Sequence, residues 1–510
     1  MFFRLSLLIL VILTRFLGLR WGDGYFFHPD ENNMATAVSQ IIPSNLNPHF
    51  FAYGQFPLYL AYFSLKTFSL PPTFAHSVYA LRFWSAVFSG LSILIFYLIY
   101  PSFLFVLLLI FSPGLIQLAH FGTTESLLVL VLAFNLYLAR LILCQPKFAY
   151  FFWAALVTGI GLAAKISSIV FFLPILLAAL LGQFKNRLSL LLFAGGSLLL
   201  TIIFFLIFSP YNFLARSDFF STLNYEIQVA TGQLKVFYTS QFLHTIPYFF
   251  QLTNIFPYTS GFPVFVIGIL GYFLILKSYL IRPKSIASCT VLLFSGLIYF
   301  AYFGQLYAKW TRFVSPLFFS FPLFASYLLV RIKNTIIVNL LLSISILPGI
   351  LLLTNYLRPD IRLTASDWIN QNIPAHSRIL SEAGNVINLP VANYAFRVTN
   401  YDFYHLDQDP SLVARLPQEL LLADYILIPS RRIFKNQSNS DFPVSQKYYQ
   451  ALFSGRLGFK LVKYFSPLPD LFFNAENAEE TWTVFDRPTI RIFQKTRPLT
   501  LSQYAQILKV

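Results

Sequence analysis

Apolar runs long enough to cross a lipid bilayer recur through roughly the first 355 residues of this chain, and this constrains its fold more than any other feature. Such a segment has no water to satisfy its backbone amides, so it must satisfy them internally, as a helix does. The expected spans lie at 2–19, 82–99, 102–119, 124–143, 149–164, 167–182, 189–208, 262–281, 287–303, 313–330 and 334–354, about eleven in all. Composition agrees. The chain is 57% hydrophobic and 11% charged, with a mean hydropathy of +0.65, whereas a soluble protein carries roughly twice that charged fraction. The first run has Arg4 before it and no small-residue cleavage site after it, so it reads as an uncleaved span rather than a signal peptide. Cys144 and Cys289 are far apart beside apolar runs and offer neither a disulfide framework nor metal-ligand spacing. In such a chain the net charge of +16 points to anionic inner-leaflet lipids and an anionic ligand, and nucleic acid is not an expected partner.

Charge fixes the expected orientation. With a cytoplasmic N-terminus, the inner ends and loops hold Arg4, Arg140, Lys147, Lys185, Arg187, Lys277, Arg282, Lys284, Arg331 and Lys333, and no acid. Every acid before residue 355 then lies outside: Asp23, Asp30, Glu31, Glu125, Asp218 and Glu226. The expected protein is a multi-pass plasma-membrane protein whose outer loops, at about 21–78 and 209–261, face the cell exterior or periplasm. The first of these loops is rich in Pro, Asn and Gly and should hold one or two short interfacial helices. From 356 to 510 the chain changes character and carries 14 of its 20 acids. Residues 364–373 read as an amphipathic helix ended by Pro374, residues 423–429 as a buried strand, and 481–486 with 489–493 as two strands around Arg487-Pro488. The fold class is therefore a polytopic α-helical membrane domain, 1–355, followed by a small extracytoplasmic α/β domain, 356–510.

The stretch His28-Pro29-Asp30-Glu31 follows directly on the first span. Pro29 suits the first position of a helix, and two acids in the first turn suit its dipole. Ionisable groups beside a bilayer are costly and mark functional sites by default. Other polar groups share the expected outer side: Arg82, Glu125, Lys165, Tyr302, Tyr307, Lys309 and Arg312. A carboxylate can act as general base, and Lys and Arg can hold a phosphate. Plainer readings stand beside these. Lys165 and Arg82 also fit residues that snorkel to the interface, Glu125 a helix-start acid, and Lys309 with Arg312 nonspecific lipid contacts. A divalent metal held by some of His28, His49, His76, His120 and His244 with Asp30 is an open alternative to a metal-free site.

The order of one span, an outer His-Pro-Asp-Glu loop, about ten more spans, the element Lys309-Trp310-Thr311-Arg312-Phe313-Val314-Ser315-Pro316 and an outer tail resembles the GT-C superfamily of polyprenyl-phosphate-sugar-dependent glycosyltransferases. The likeness is to the protein O-mannosyltransferase and aminoarabinose-transferase branch. The tail segment 475–488 is similar to tails of bacterial members. The resemblance implies that Asp30 is the catalytic base or acceptor-positioning group, with Glu31 beside it, and that Lys165, Lys309 and Arg312 bind the donor phosphate. His28, Arg82, Glu125, Tyr302 and Tyr307 are further candidates. The implied partners are a polyprenyl-phosphate-linked sugar, an acceptor protein, lipid or glycan, and the bilayer. The implied reaction is inverting transfer of a hexosyl or pentosyl unit to a hydroxyl. No nucleotide-binding glycine loop is present, which suits a lipid-carried donor. A lipid transporter or flippase, a non-catalytic scaffold, and a polymerase or ligase using a diphosphate-linked glycan are the alternatives.

Overall fold

The computed structural model describes residues 2–182, 187–281, 287–383, 388–391, 395–437, 439–467 and 474–509. Lys185, Arg282 and Lys284 of the charge argument lie outside them. Among the described residues six helices are long and apolar enough to cross a membrane: Phe74–Ile99, Glu125–Cys144, Leu188–Phe208, Phe262–Tyr279, Thr311–Leu329 and Thr335–Tyr356. Phe103–Ile110 and Pro113–His120 form a seventh candidate, bent by 49°. Leu5–Phe16, Phe148–Leu162, Ile166–Leu181 and Thr290–Gly304 are shorter apolar helices. The expected spans all fall on these elements, and the chain is a polytopic α-helical membrane protein with a small C-terminal sheet domain.

Two spans differ from expectation for local reasons. The second begins at Phe74 rather than 82, because the Thr73 hydroxyl accepts from His76 N–H and caps the helix there. Arg82 therefore sits inside this helix and does not begin it. The third is broken at Phe111-Ser112, where Pro113 cannot continue the hydrogen-bond ladder. Carbonyls freed at the break are taken up by the buried Arg15 guanidinium, at 3.1 Å from Leu109 O and 2.8 Å from Ile110 O, which also donates to Ser89 Oγ at 2.9 Å. The first outer loop holds two helices, Pro29–Gln40 and Phe56–Thr67.

The chain divides into two compact units, one made of Met1–Arg20, His28–Thr231 and Pro247–Leu357, the other of Trp21–Phe27, Gly232–Ile246 and Arg358–Val510. The division expected at 355/356 kept both outer loops whole with the membrane domain. Two short pieces of those loops instead pack with the second unit, for identifiable reasons. The Arg362 guanidinium lies over the Phe27 ring at 3.9 Å, Phe237 packs on Tyr404, and Gln241 donates to Glu479 at 3.1 Å.

The second unit is built on a five-stranded sheet. Its strands are β1 (Arg378–Ala383), β2 (Arg397–Asp402), β3 (Tyr425–Ile428), β4 (Phe459–Phe465) and β5 (Ile490–Lys495). The order is β2-β1-β3-β5-β4, with the first three parallel and the last two joined antiparallel. Alternate residues face opposite sides, as the pleat requires. Leu380, Ile426 and Phe493 enter one core, and Ile379, Leu427 and Ile492 enter the other. The helix expected at 364–373 is Ile361–Asn372 and buries Ala365 and Ile369, and the strand expected at 423–429 is the fully buried β3.

The strand expected at 481–486 is absent. A 3-10 turn, Glu480–Trp482, stands at its start. Side chains rather than a ladder satisfy the backbone here: Arg362 donates to Val484 O and Phe485 O, Arg487 to Trp482 O, and Arg431 to Ala478 O. β5 already pairs on both sides, so no edge remains for a hairpin partner.

At the end of β1, Glu382 is buried and accepts from the Tyr449 hydroxyl at 2.7 Å. Burial pushes its carboxyl up to about 8, against the pull of Tyr449 and of the Arg491 charge. The unfolded chain ionises this group near about pH 4.3, so between that pH and 8 the unfolded state is the one that has shed its proton. Stability therefore falls as pH rises through this window. Glu382→Gln keeps the Tyr449 contact and removes the dependence. It should raise stability by roughly 3 kcal/mol at pH 7 and by little near pH 4, read as the difference in melting temperature across that range.

Candidate active site

The site starts at the helix Pro29–Gln40. His28 caps it, its Nδ1 accepting from Glu31 N–H at 3.4 Å while its ring packs on Phe121 at 4.5 Å. Consecutive helix residues point about 100° apart, so the two acids meet different surroundings. Glu31 is fully buried and taken up by Arg82. The Arg82 Nε lies 3.0 and 3.1 Å from the two carboxylate oxygens, and Nη2 lies 2.7 Å from Oε1. Gly122 N–H donates to the same carboxylate at 2.9 Å, and Arg82 Nη1 donates to Leu19 O at 2.9 Å. A Cβ at Gly122 would press on Leu81 and Glu31, so glycine lets this backbone close in. The pair joins four segments and has no spare carboxylate face.

Asp30 remains accessible, its side chain 32% exposed. Its Oδ2 accepts from Arg312 Nη1 at 2.6 Å, and the same nitrogen donates to the Tyr53 hydroxyl at 2.9 Å. Burial raises the Asp30 carboxyl, but Arg312, His28, the Tyr53 hydrogen bond and Lys165 outweigh it and hold it below the usual carboxylate value. Arg312 stands in a short turn, Thr311–Val314, steadied by the Tyr299 hydroxyl donating to Phe313 O at 2.7 Å. Its guanidinium lies over the Trp310 ring at 4.4 Å.

Tyr53 is placed by its neighbour. Gly54 N–H donates to Ala164 O at 2.8 Å and Phe56 N–H to Ala163 O at 3.0 Å. A Cβ on Gly54 would run into the Ala163 carbonyl, so only glycine permits this clasp. The next residue after Ala164 is Lys165, whose Nζ comes to 5.4 Å from the Tyr53 ring and 3.6 Å from Glu125 Oε1. Burial lowers the Lys165 ammonium, with Glu125 opposing. Glu226, on the helix Arg216–Thr231, adds its charge to the surroundings of Tyr53 and Lys165.

Asp30, Arg312, Lys165 and Glu125 thus gather, while the remaining candidates do not join them. Lys309 is buried, which lowers its ammonium, and donates to Tyr307 O at 2.9 Å. Tyr307 contributes that carbonyl and a ring 5.8 Å from the same nitrogen. Tyr302 is largely exposed and packs on Phe303. Tyr53 is the member that sequence reasoning missed as a site residue. Tyr53 was hidden among 29 tyrosines in a stretch that reads as loop punctuation. Among the described residues no three His, Cys, Asp or Glu side chains gather as a metal site would need. Of the histidines weighed for one, His76 and His120 bond backbone carbonyls and His244 pairs with Asp441.

No family model and no curated protein matches the sequence. Solved structures do match in shape. The crystal structure of ArnT from Cupriavidus metallidurans bound to undecaprenyl phosphate superposes with a TM-score of 0.51 at 13% identity, over 96% of this chain and 97% of that one. Its apo form covers the same shares at 13% identity with a TM-score of 0.48. Similarity at this identity speaks for the fold over nearly the full length of both chains. The chain therefore shares the fold of that ArnT structure over nearly its whole length.

Proposed function

We propose that this protein is a membrane glycosyltransferase that moves a sugar from a polyprenyl-phosphate donor to an acceptor hydroxyl on the extracytoplasmic side, inverting the anomeric carbon. The observation that carries the reading is the meeting of an accessible carboxylate with cations: Arg312 at 2.6 Å from Asp30, and Lys165 with its Nζ 5.4 Å from the ring of Tyr53, which shares Arg312. A fold shared with a protein crystallised on undecaprenyl phosphate supports a lipid-phosphate donor. In this mechanism Asp30 accepts the proton of the acceptor hydroxyl. The freed oxygen attacks the anomeric carbon through an oxocarbenium-like transition state. The bond from that carbon to the phosphate oxygen breaks, and the electron pair leaves with the polyprenyl phosphate. Arg312 and Lys165 hold the growing phosphate charge; removing one such preorganised donor costs roughly 2.7–4 kcal/mol in other enzymes. Glu31 and Arg82 serve as the brace that fixes the loop.

The acceptor face follows from charge, since the positive-inside argument puts the Asp30 loop outside. The test is mass spectrometry of membranes supplied with a panel of polyprenyl-phosphate sugars. One lipid-linked sugar should disappear when the protein is present; consumption of none, or of a diphosphate-linked glycan instead, sinks the reading. Arg312→Ala should cut donor use at least tenfold more than acceptor use. Equal losses for the two substrates would remove Arg312 from the phosphate.

A further inference from the structure

The resting site holds its base and its cation against each other. Arg312 Nη1 is divided between Asp30 Oδ2 at 2.6 Å and the Tyr53 hydroxyl at 2.9 Å, and Arg312 Nε is buried with no hydrogen-bond partner among the described residues. We infer that Tyr53 is a positioning residue through which Arg312 is handed from Asp30 to the donor phosphate, so that the base is freed only once the donor is seated. This rests on the glycosyltransferase reading above.

The chemistry runs in that direction. A guanidinium has five N–H donors in a fixed fork, and a phosphate takes two of them in parallel. The contact to Asp30 uses a single nitrogen. A lipid phosphate therefore outcompetes it, and also supplies an acceptor for the idle Nε. Asp30 would then lose its cation inside the protein, which is costly unless another donor replaces it. The Tyr53 hydroxyl is placed to be that donor, because it and Asp30 Oδ2 flank the same Arg312 nitrogen, at 2.9 and 2.6 Å, and can close on each other when the nitrogen leaves. The other groups facing Asp30 cannot step in as freely. Lys165 is engaged with Glu125, His28 spends Nδ1 on the helix cap, and Glu31 is closed into Arg82. Glu226 and Glu125 bring further negative charge towards Tyr53. The arrangement orders the reaction with the donor first, and it keeps the base occupied when only water and acceptor are present.

The experiment needs no knowledge of the sugar. Undecaprenyl phosphate is titrated into the purified full-length protein in nanodiscs, with melting temperatures recorded to confirm folding. Asp30→Asn, which releases Arg312, should bind the lipid about tenfold tighter than wild type. Tyr53→Phe, which leaves Asp30 dependent on Arg312, should bind severalfold weaker. In the double variant the weakening by Tyr53→Phe should disappear, leaving binding unchanged or slightly tighter as the hydroxyl's own contact to Arg312 is lost; a merely structural tyrosine would weaken both backgrounds alike. Weaker or unchanged binding by Asp30→Asn, or additive effects in the double variant, overturns the inference alone. A wild-type protein that binds no undecaprenyl phosphate overturns the donor reading beneath it.

Discussion

Asp30→Asn is expected to lower sugar transfer by about a thousandfold while polyprenyl-phosphate binding survives. That loss lies in the middle of the range for removing a positioned general base. The substitution keeps the shape of the side chain and removes only its capacity to take a proton, so an effect on kcat with donor binding intact separates chemistry from folding. The pH profile gives a second reading. Arg312, His28, Tyr53 and Lys165 together hold the Asp30 carboxyl below its usual value despite its burial. The carboxylate therefore stays ionised, and able to accept a proton, to lower pH than an ordinary aspartate would. The acidic limb of kcat/KM for the donor should lie on the acid side of an ordinary carboxylate's titration in the wild type and be missing from the residual activity of the variant. Full transfer by Asp30→Asn in proteoliposomes would remove Asp30 from the reaction.

The second large effect belongs to the neighbouring acid. Arg82→Ala leaves the Glu31 carboxylate buried with the Gly122 amide but without its cation. Breaking a buried ion pair from one side typically costs 3–5 kcal/mol, because an uncompensated charge is left in a dry site. Thermal unfolding of the purified protein should show that loss, and transfer should fall with it, since the loop carrying Asp30 loses its brace. Replacing both partners together, as Glu31→Leu with Arg82→Met, should cost far less than Arg82→Ala alone, because no charge is then stranded. A melting temperature for Arg82→Ala equal to that of wild type would show that the pair is not the brace described here. The two acids of one dipeptide thus separate into a candidate proton acceptor and a strut, and the measurements differ in kind: kcat for one, stability for the other.

Much of this was legible in the chain itself. Long apolar runs can only be spans, so the helices of the membrane half follow from composition and length. Pro29 and the paired acids fix the start of the Pro29–Gln40 helix, and β3 follows from its uninterrupted apolar run. These are local facts, decided by groups a few residues apart. The strand misread at 481–486 marks where local reasoning stops. Its sequence favours a strand, but arginines from distant positions, Arg362 and Arg431 among them, take its carbonyls and those just before it.

The site divides along the same line. Sequence alone determined that a carboxylate pair stands at the start of a helix beside the membrane, and that cations come later in the chain. Which acid is accessible, and which cation meets it, was decided by folding. Arg312 is 282 residues from Asp30, and Arg82 is 51 from Glu31. Tyr53 gains its place from the contact of Gly54 with Ala163 and Ala164. A side chain carries its chemistry in its own atoms, but its protonation and its partners depend on what packs around it. Only the packed chain supplies those surroundings.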